Sequence, residues 1–263
     1  MKNLKLNQFI SHNSCQSSGI TDFFDDSYLA IYSDLLKIEL NDQLSFLKQH
    51  KSNIYALKEN AQILDLCCGN GRHLCSLSDK YSVDGVDLNK HNISKAKMNL
   101  PKNAHSKLYT ANATTFDPQY KYDLIYCLEN SIGYLSDNDT LKIFTNISKN
   151  LLKNQGRAII HFTNKDFLIK NFSRRIWFGD SQKGYLLEER TWDKLNKYIT
   201  FDQIRIFKDK EKHCSITLRL YTLQELKYLL KIADLKITKT YGDFFGAPYT
   251  IESPAMILEV MHS

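Results

Sequence analysis

Ile63-Leu64-Asp65-Leu66-Cys67-Cys68-Gly69-Asn70-Gly71-Arg72-His73-Leu74 joins an apolar run of strand type to a Gly-x-Gly turn and then, through Leu74 and Leu77, to a helical pattern. The spacing predicts a strand, a tight turn and a helix start. Two glycines let backbone approach a ligand closely, and free N–H groups at a helix start favour a carboxylate or phosphate. Downstream, Val83-Asp84-Gly85-Val86-Asp87-Leu88 is a second short buried-strand pattern, and its Asp87 stands sixteen residues after Gly71. An acid at the carboxyl end of the second strand of a βαβ unit is placed to accept from ribose hydroxyls. The two strands together describe a nucleoside site. A dinucleotide would call for Gly-x-Gly-x-x-Gly, but Leu74 holds the third glycine position, so a smaller nucleoside carrying a carboxylate fits better.

The βα rhythm continues on both sides of this stretch. A helix over 89–100, closed by Pro101, leads to a strand at 107–110, and a further strand at 122–128 leads to a helix bearing Leu141, Phe144, Ile147 and Leu151. Ser136 is a plausible cap for that helix, and Asn154-Gln155-Gly156 turns into a strand at 158–162. Alternation of this kind predicts a parallel sheet. After Asn164 the period changes: 184–192, 198–207 and 213–220 read as three strands joined by short turns, an antiparallel meander. Thr222-Leu223-Gln224-Glu225 is a capping box, and the strands at 235–241 and 255–260 are joined too briefly for a helix, so they are antiparallel neighbours. Upstream, residues 1–21 read as a mobile polar tail, followed by one helix bearing Tyr28, Ile31, Tyr32, Leu35 and Leu36 and a second bearing Leu40, Leu44 and Leu47.

Asp65-Leu66-Cys67-Cys68-Gly69-Asn70-Gly71 resembles the first motif of the class I S-adenosylmethionine-dependent methyltransferases, loosely Asp-x-Gly-x-Gly-x-Gly, with Cys67 in place of a glycine. The likeness runs from about Phe23 to Met261 and points most nearly to members acting on small molecules, such as amino-sugar and glycine N-methyltransferases. It implies an α/β fold with a Rossmann-like seven-stranded sheet whose last strand is reversed. N-terminal helices at 22–58 would lie over the cleft, and an antiparallel β insertion at 165–221 would follow the fifth strand. S-adenosylmethionine is the implied cofactor and S-adenosylhomocysteine the product. Asp65, Cys67 and the Gly69-Asn70-Gly71 turn would hold the methionine moiety, Asp87 and Leu88 the ribose side, Asn112 and Ala113 the adenine, and Leu128 to Asn130 the cofactor edge and the acceptor. Asn112 stands where the family has an acid, and its side-chain oxygen is expected to accept from the adenine amino group.

Several residues keep two readings. Tyr28 and Tyr32 reach the methionine end of the cofactor or pack on an amphipathic face. Arg72 pairs with a carboxylate or is an exposed helix-start arginine. Glu129 and Asn130 orient or deprotonate the acceptor, or cap the next helix. His161 is a catalytic base facing the cleft or a structural histidine in an apolar strand.

Composition narrows the remaining choices. With 263 residues, 43% hydrophobic and 24% charged, the chain is of ordinary globular type and long enough for one large core. Its apolar runs are too short to span a bilayer, so no membrane association and a cytoplasmic location are expected. Six cysteines lie without any Cys-x-x-Cys pair, and neither a disulfide framework nor a metal site is expected. The net charge of +6 is spread without a basic block, which permits nucleic-acid binding without favouring it. A small-molecule methyltransferase is thus the leading expectation, with a homodimer through the β insertion as a further one. An RNA or protein methyltransferase and a non-catalytic cofactor-binding homologue are the alternatives.

Overall fold

The computed structural model describes residues 17–49 and 61–263; residues 1–16 of the expected tail and 50–58 of the expected helical cap lie outside the described residues. Three helices come first, α1 (Ser17–Phe23), α2 (Asp26–Ile31) and α3 (Ser33–Gln49). Two boundaries differ from the sequence reading. Helix α1 begins inside the segment read as a tail. The break between the next helices falls at Tyr32, so Leu35, Leu40 and Leu47 share one helix. An Asp25 side chain that accepts from Tyr28 N caps α2 and fixes where it starts.

The βα alternation then follows as β1 (Ile63–Leu66), α4 (Arg72–Leu77), β2 (Val83–Asp87), α5 (Lys90–Asn99), β3 (Leu108–Thr110), β4 (Tyr122–Cys127), α6 (Asp137–Asn146) and β5 (Leu152–Thr163). A short helix α7 (Lys165–Lys170) leads to a separate sheet of β6 (Arg175–Asp180), β7 (Gly184–Asp193), β8 (Tyr198–Phe207) and β9 (Lys210–Arg219). Helix α8 (Leu223–Ile232), β10 (Leu235–Tyr241) and β11 (Ala255–His262) complete the chain. The main sheet runs β10-β11-β5-β4-β1-β2-β3. Only β11 is reversed, antiparallel to both β5 and β10. This is the seven-stranded arrangement expected from the sequence.

Alternate residues of the central strands feed opposite faces of the sheet. Leu64, Leu66, Ile125 and Ile160 pack with Phe144, Leu226 and Leu230 on one side. On the other, Ile63, Val83, Tyr126 and Ile159 pack with Phe46, Leu47 and Leu74. Burial on both faces is why these strands read as continuous apolar runs.

The second sheet has four strands where the sequence suggested three. Strand β6 was hidden because Ile176, Trp177 and Phe178 are apolar in succession, with Trp177 exposed, so the sequence shows no alternation, and none of its residues is fully buried. The turn between β8 and β9 is also tighter than expected: Lys208 and Asp209, at φ 50° and 58°, close a two-residue hairpin, and β9 begins at Lys210. Helix α1 rests on β9, and α2 rests on β7 and β8. The second sheet therefore carries the N-terminal helices over the carboxyl ends of the main sheet. Among the described residues no helix is long and apolar enough to cross a membrane.

Candidate active site

In the main sheet the chain order runs outward from β1 in one direction through β2 and β3, then restarts on the other side at β4. Ligands in open α/β sheets bind at such a reversal, beyond the carboxyl ends of the strands. A cavity of about 270 Å³ opens there, under α1 and α2.

Its floor is the opening stretch of sequence. Cys67 adopts φ 63° and Gly69 φ 53°, so the chain doubles back immediately after β1. Cys68 N donates to Val86 O at 3.0 Å and Gly71 N to Cys68 O at 2.9 Å, which ties the turn to β2 and closes it. Gly71, at φ 75°, precedes α4 with no room for a side chain: a Cβ there would lie 2.8 Å from that of Ala96. Asp87 faces this turn. Its Oδ2 accepts from Gly69 N and its Oδ1 from Asn89 N, both at 2.8 Å.

Asp65 lines the same cavity, is 3% exposed, and its Oδ2 has no hydrogen-bond partner among the described residues. Burial pushes its carboxyl up to about 8, and the nearby Asp87 carboxylate acts in the same direction. A buried oxygen of this kind is strongly stabilised by any cationic donor that reaches it.

The loop after β4 forms the far wall. Glu129 and Asn130 both take left-handed backbone, at φ 56° and 57°, an unusual conformation for a glutamate, and this turns Glu129 into the cavity. Arg72 Nη2 lies 2.8 Å from Glu129 Oε1, and Arg72 Nη1 donates to Leu36 O at 2.7 Å. Arg72 thus borders the cavity with its guanidinium committed to α3 and to Glu129. Gln43 also donates to Glu129 Oε1, and its own Oε1 lies 2.5 Å from His73 Nε2. Although burial acts to raise it, Arg72 and the other neighbours hold the Glu129 carboxyl below the usual range.

Above lies an aromatic wall. The ring of Tyr28 lies 5.0 Å from Phe24, which lies 5.3 Å from Tyr134, and all three line the cavity. Burial pushes the Tyr28 phenol far above its ordinary value, so it stays un-ionised.

Of the residues singled out from sequence, Tyr28, Asp65, Cys67, Gly69, Asn70, Arg72, Asp87, Leu88, Asn112, Ala113, Leu128 and Glu129 line this one cavity. Tyr32, Gly71, Asn130 and His161 do not. Tyr32 stacks behind Tyr28 at 4.5 Å and accepts from Gln203 Nε2. Asn130 is buried, its Oδ1 accepting from Thr163 N at 3.0 Å, and so anchors the loop to β5. His161, expected to face the cleft, does not line the cavity: its ring lies edge-on to Phe244 at 5.1 Å, and burial lowers its pKa. The Asn112 side-chain oxygen is occupied locally, accepting from Thr114 N and Oγ1, both at 2.9 Å. Sequence reasoning passed over Phe24, His73 and Asn92, which also line the cavity, as does Tyr134 of the loop after β4. Phe24 stands in the break between α1 and α2, where no helical spacing points to it.

Residues 63–156 match the family model described as a methyltransferase domain. Comparison with curated protein sequences gives no match. Among solved structures, an S-adenosylmethionine-dependent methyltransferase from Clostridium acetobutylicum is 18% identical, with a TM-score of 0.76 over 90% of this chain and 98% of its own. The CcbJ methyltransferase from Streptomyces caelestis is 16% identical, with a TM-score of 0.73 over 91% of this chain and 100% of its own. The sugar N-methyltransferase KedS8 from a Streptoalloteichus species is 15% identical, with a TM-score of 0.65 over 88% and 93%.

Proposed function

We propose that this chain, whose residues 63–156 match the model described as a methyltransferase domain, transfers a methyl group from S-adenosylmethionine to a small-molecule acceptor and releases S-adenosylhomocysteine. The observation that carries the reading is the pair of carboxylates across the glycine turn. Asp65 offers a buried oxygen without a partner, and Asp87 faces Gly69 at the tip of β2. These suit an ammonium and a ribose respectively, the two ends of a nucleoside with an amino-acid tail. When bound, S-adenosylmethionine supplies a methyl group already activated by its positive sulfur. The chain's residues then have to hold the acceptor in line and keep water out.

The roof argues for a small acceptor. Tyr28 and Leu29 from α2, with Phe24 from the turn between α1 and α2, line the cavity and cover it from above. A polymer would need an open face. Glu129, held at the far wall by Arg72, is the group placed to orient or deprotonate the acceptor. The sugar N-methyltransferase among the structural relatives supports nitrogen as the accepting atom.

Calorimetry on the pure protein tests the reading. S-adenosylhomocysteine should bind, and Asp87→Ala should weaken it about 10- to 100-fold, the worth of hydrogen bonds to a charged group. Glu129→Gln should leave that affinity unchanged while lowering turnover. No binding of either S-adenosylmethionine or S-adenosylhomocysteine would overturn the proposal.

A further inference from the structure

Asn92, in the first turn of α5, lines the cavity and is only 6% exposed, yet its Oδ1 has no hydrogen-bond partner among the described residues. A buried acceptor in this state is costly to leave unmade, and a ligand donor that reaches it recovers the cost. Two contacts place the residue. Asn89 caps α5 by accepting from His91 N and Asn92 N, and its own N donates to Asp87 Oδ1. Four positions after Asn92, on the same face of the helix, Ala96 lies against Gly71, where an added Cβ would come within 2.8 Å of it. Asn92 therefore sits between the tip of β2 and the glycine turn, on the Asp87 side of the cavity.

At this end of the cavity the acceptors are partly committed. Asp87 Oδ1 accepts from Asn89 N and Oδ2 from Gly69 N, so each oxygen keeps one further lone pair for a ligand. A ribose edge brings two neighbouring hydroxyl donors, and a second acceptor beside the carboxylate matches the second of them. The base end is arranged differently. Of the segment after β3, Ala111, Asn112 and Ala113 line the cavity. The two alanines have no polar side chain, and Asn112 is exposed with its Oδ1 accepting twice from Thr114. This wall offers no uncommitted side-chain oxygen to an amino group on the base.

We propose that this chain selects its cofactor by the ribose and not by the amino group of the base, with Asn92 Oδ1 accepting from one hydroxyl of the vicinal pair and Asp87 from the other. This rests on the methyltransferase reading above. The consequence is a site that rejects deoxyribose and tolerates change at the 6 position of the purine. A pocket built around a buried acceptor discriminates strongly against an analogue that lacks the donor, because the acceptor is then left unpaired. Where no acceptor faces the ligand, loss of a donor goes unread.

The test is calorimetry on the full chain with S-adenosylhomocysteine and three analogues of it, lacking the 2′-hydroxyl, the 3′-hydroxyl or the 6-amino group. Each deoxy analogue should bind at least about tenfold more weakly than the parent, and the analogue without the amino group within about threefold of it. Asn92→Leu keeps the bulk and removes the acceptor. In that variant one of the two deoxy penalties should disappear while the other, set by Asp87, persists. The analogue series on the unaltered chain decides the ribose claim even where the variant does not fold. A loss without the amino group as large as that without a hydroxyl, or deoxy analogues that bind as well as the parent, would overturn the proposal. Survival of both deoxy penalties in a folded Asn92→Leu protein would overturn the role of Asn92. Binding of the parent compound separates the two readings: if it binds normally while the series fails, only the ribose claim falls, and if it does not bind, the methyltransferase reading falls with it.

Discussion

Asp65 shows how one residue can serve folding and binding with opposite signs. Its carboxyl is raised by burial to about 8, far above the ordinary value near 4 for an exposed aspartate. A raised acid contributes its stability fully below the unfolded value; that stability is lost as pH rises through the folded value, because the unfolded chain ionises first. A ligand ammonium beside Asp65 reverses the balance by favouring the charged form. S-adenosylhomocysteine should therefore raise the melting temperature more at about pH 8 than at about pH 6, and Asp65→Asn should remove the difference. Equal shifts at the two pH values in the unaltered protein would mean that no ammonium meets this carboxylate.

At the scale of elements, the strand–turn–helix unit makes separable demands on its two glycines. A Cβ at Gly71 would collide with Ala96 on α5, whereas a Cβ at Gly69 would meet nothing within 4 Å. Both have positive φ, so either substitution costs about 1–2 kcal/mol in backbone strain. Gly71→Ala adds overpacking between α4 and α5 and should cost about 2–4 kcal/mol in chemical denaturation. Gly69→Ala should stay near the lower figure yet weaken S-adenosylhomocysteine at least about tenfold, because Gly69 borders the cavity. This unit was legible because buried strands and a glycine turn are local signals. So was the reversed β11, since the link from β10 is too short for a crossover. Strand β6 was not legible, being mostly exposed, and nor was the orientation of His161. Whether a strand residue near a cleft points into it or to the opposite face depends on register, and here the ring packs against Phe244.

The whole molecule depends on contacts that no local pattern records. Arg205, on β8 of the second sheet, is fully buried and lies about 180 positions from the residues it holds. Its Nη1 donates to Phe23 O at 2.6 Å and to Asp25 Oδ1 at 3.3 Å, and its guanidinium lies 4.3 Å from the Phe23 ring centre and 5.3 Å from that of Tyr28. Gln203 Oε1 accepts from it twice, and Lys212 joins Asp25 from β9. Because Phe24 and Tyr28 line the cavity, the second sheet determines the roof of the site as well as carrying it. On the opposite side Asn89 Nδ2 donates to Thr21 O, and Lys95 pairs with Asp26, so α1 and α2 are strapped to the second sheet on one side and to α5 on the other. Arg205→Met keeps the bulk but leaves Phe23 O and Gln203 Oε1 without this donor. It should cost up to about 3 kcal/mol, the low end for breaking a buried ion pair, because Asp25 is only partly buried. The loss should be concentrated in the roof: amide exchange over 17–32 should accelerate well before that of β1 or β4, and S-adenosylhomocysteine should slow it again. Uniform acceleration across the main sheet would mean that the second sheet stabilises the fold as a whole and does not specifically hold the roof.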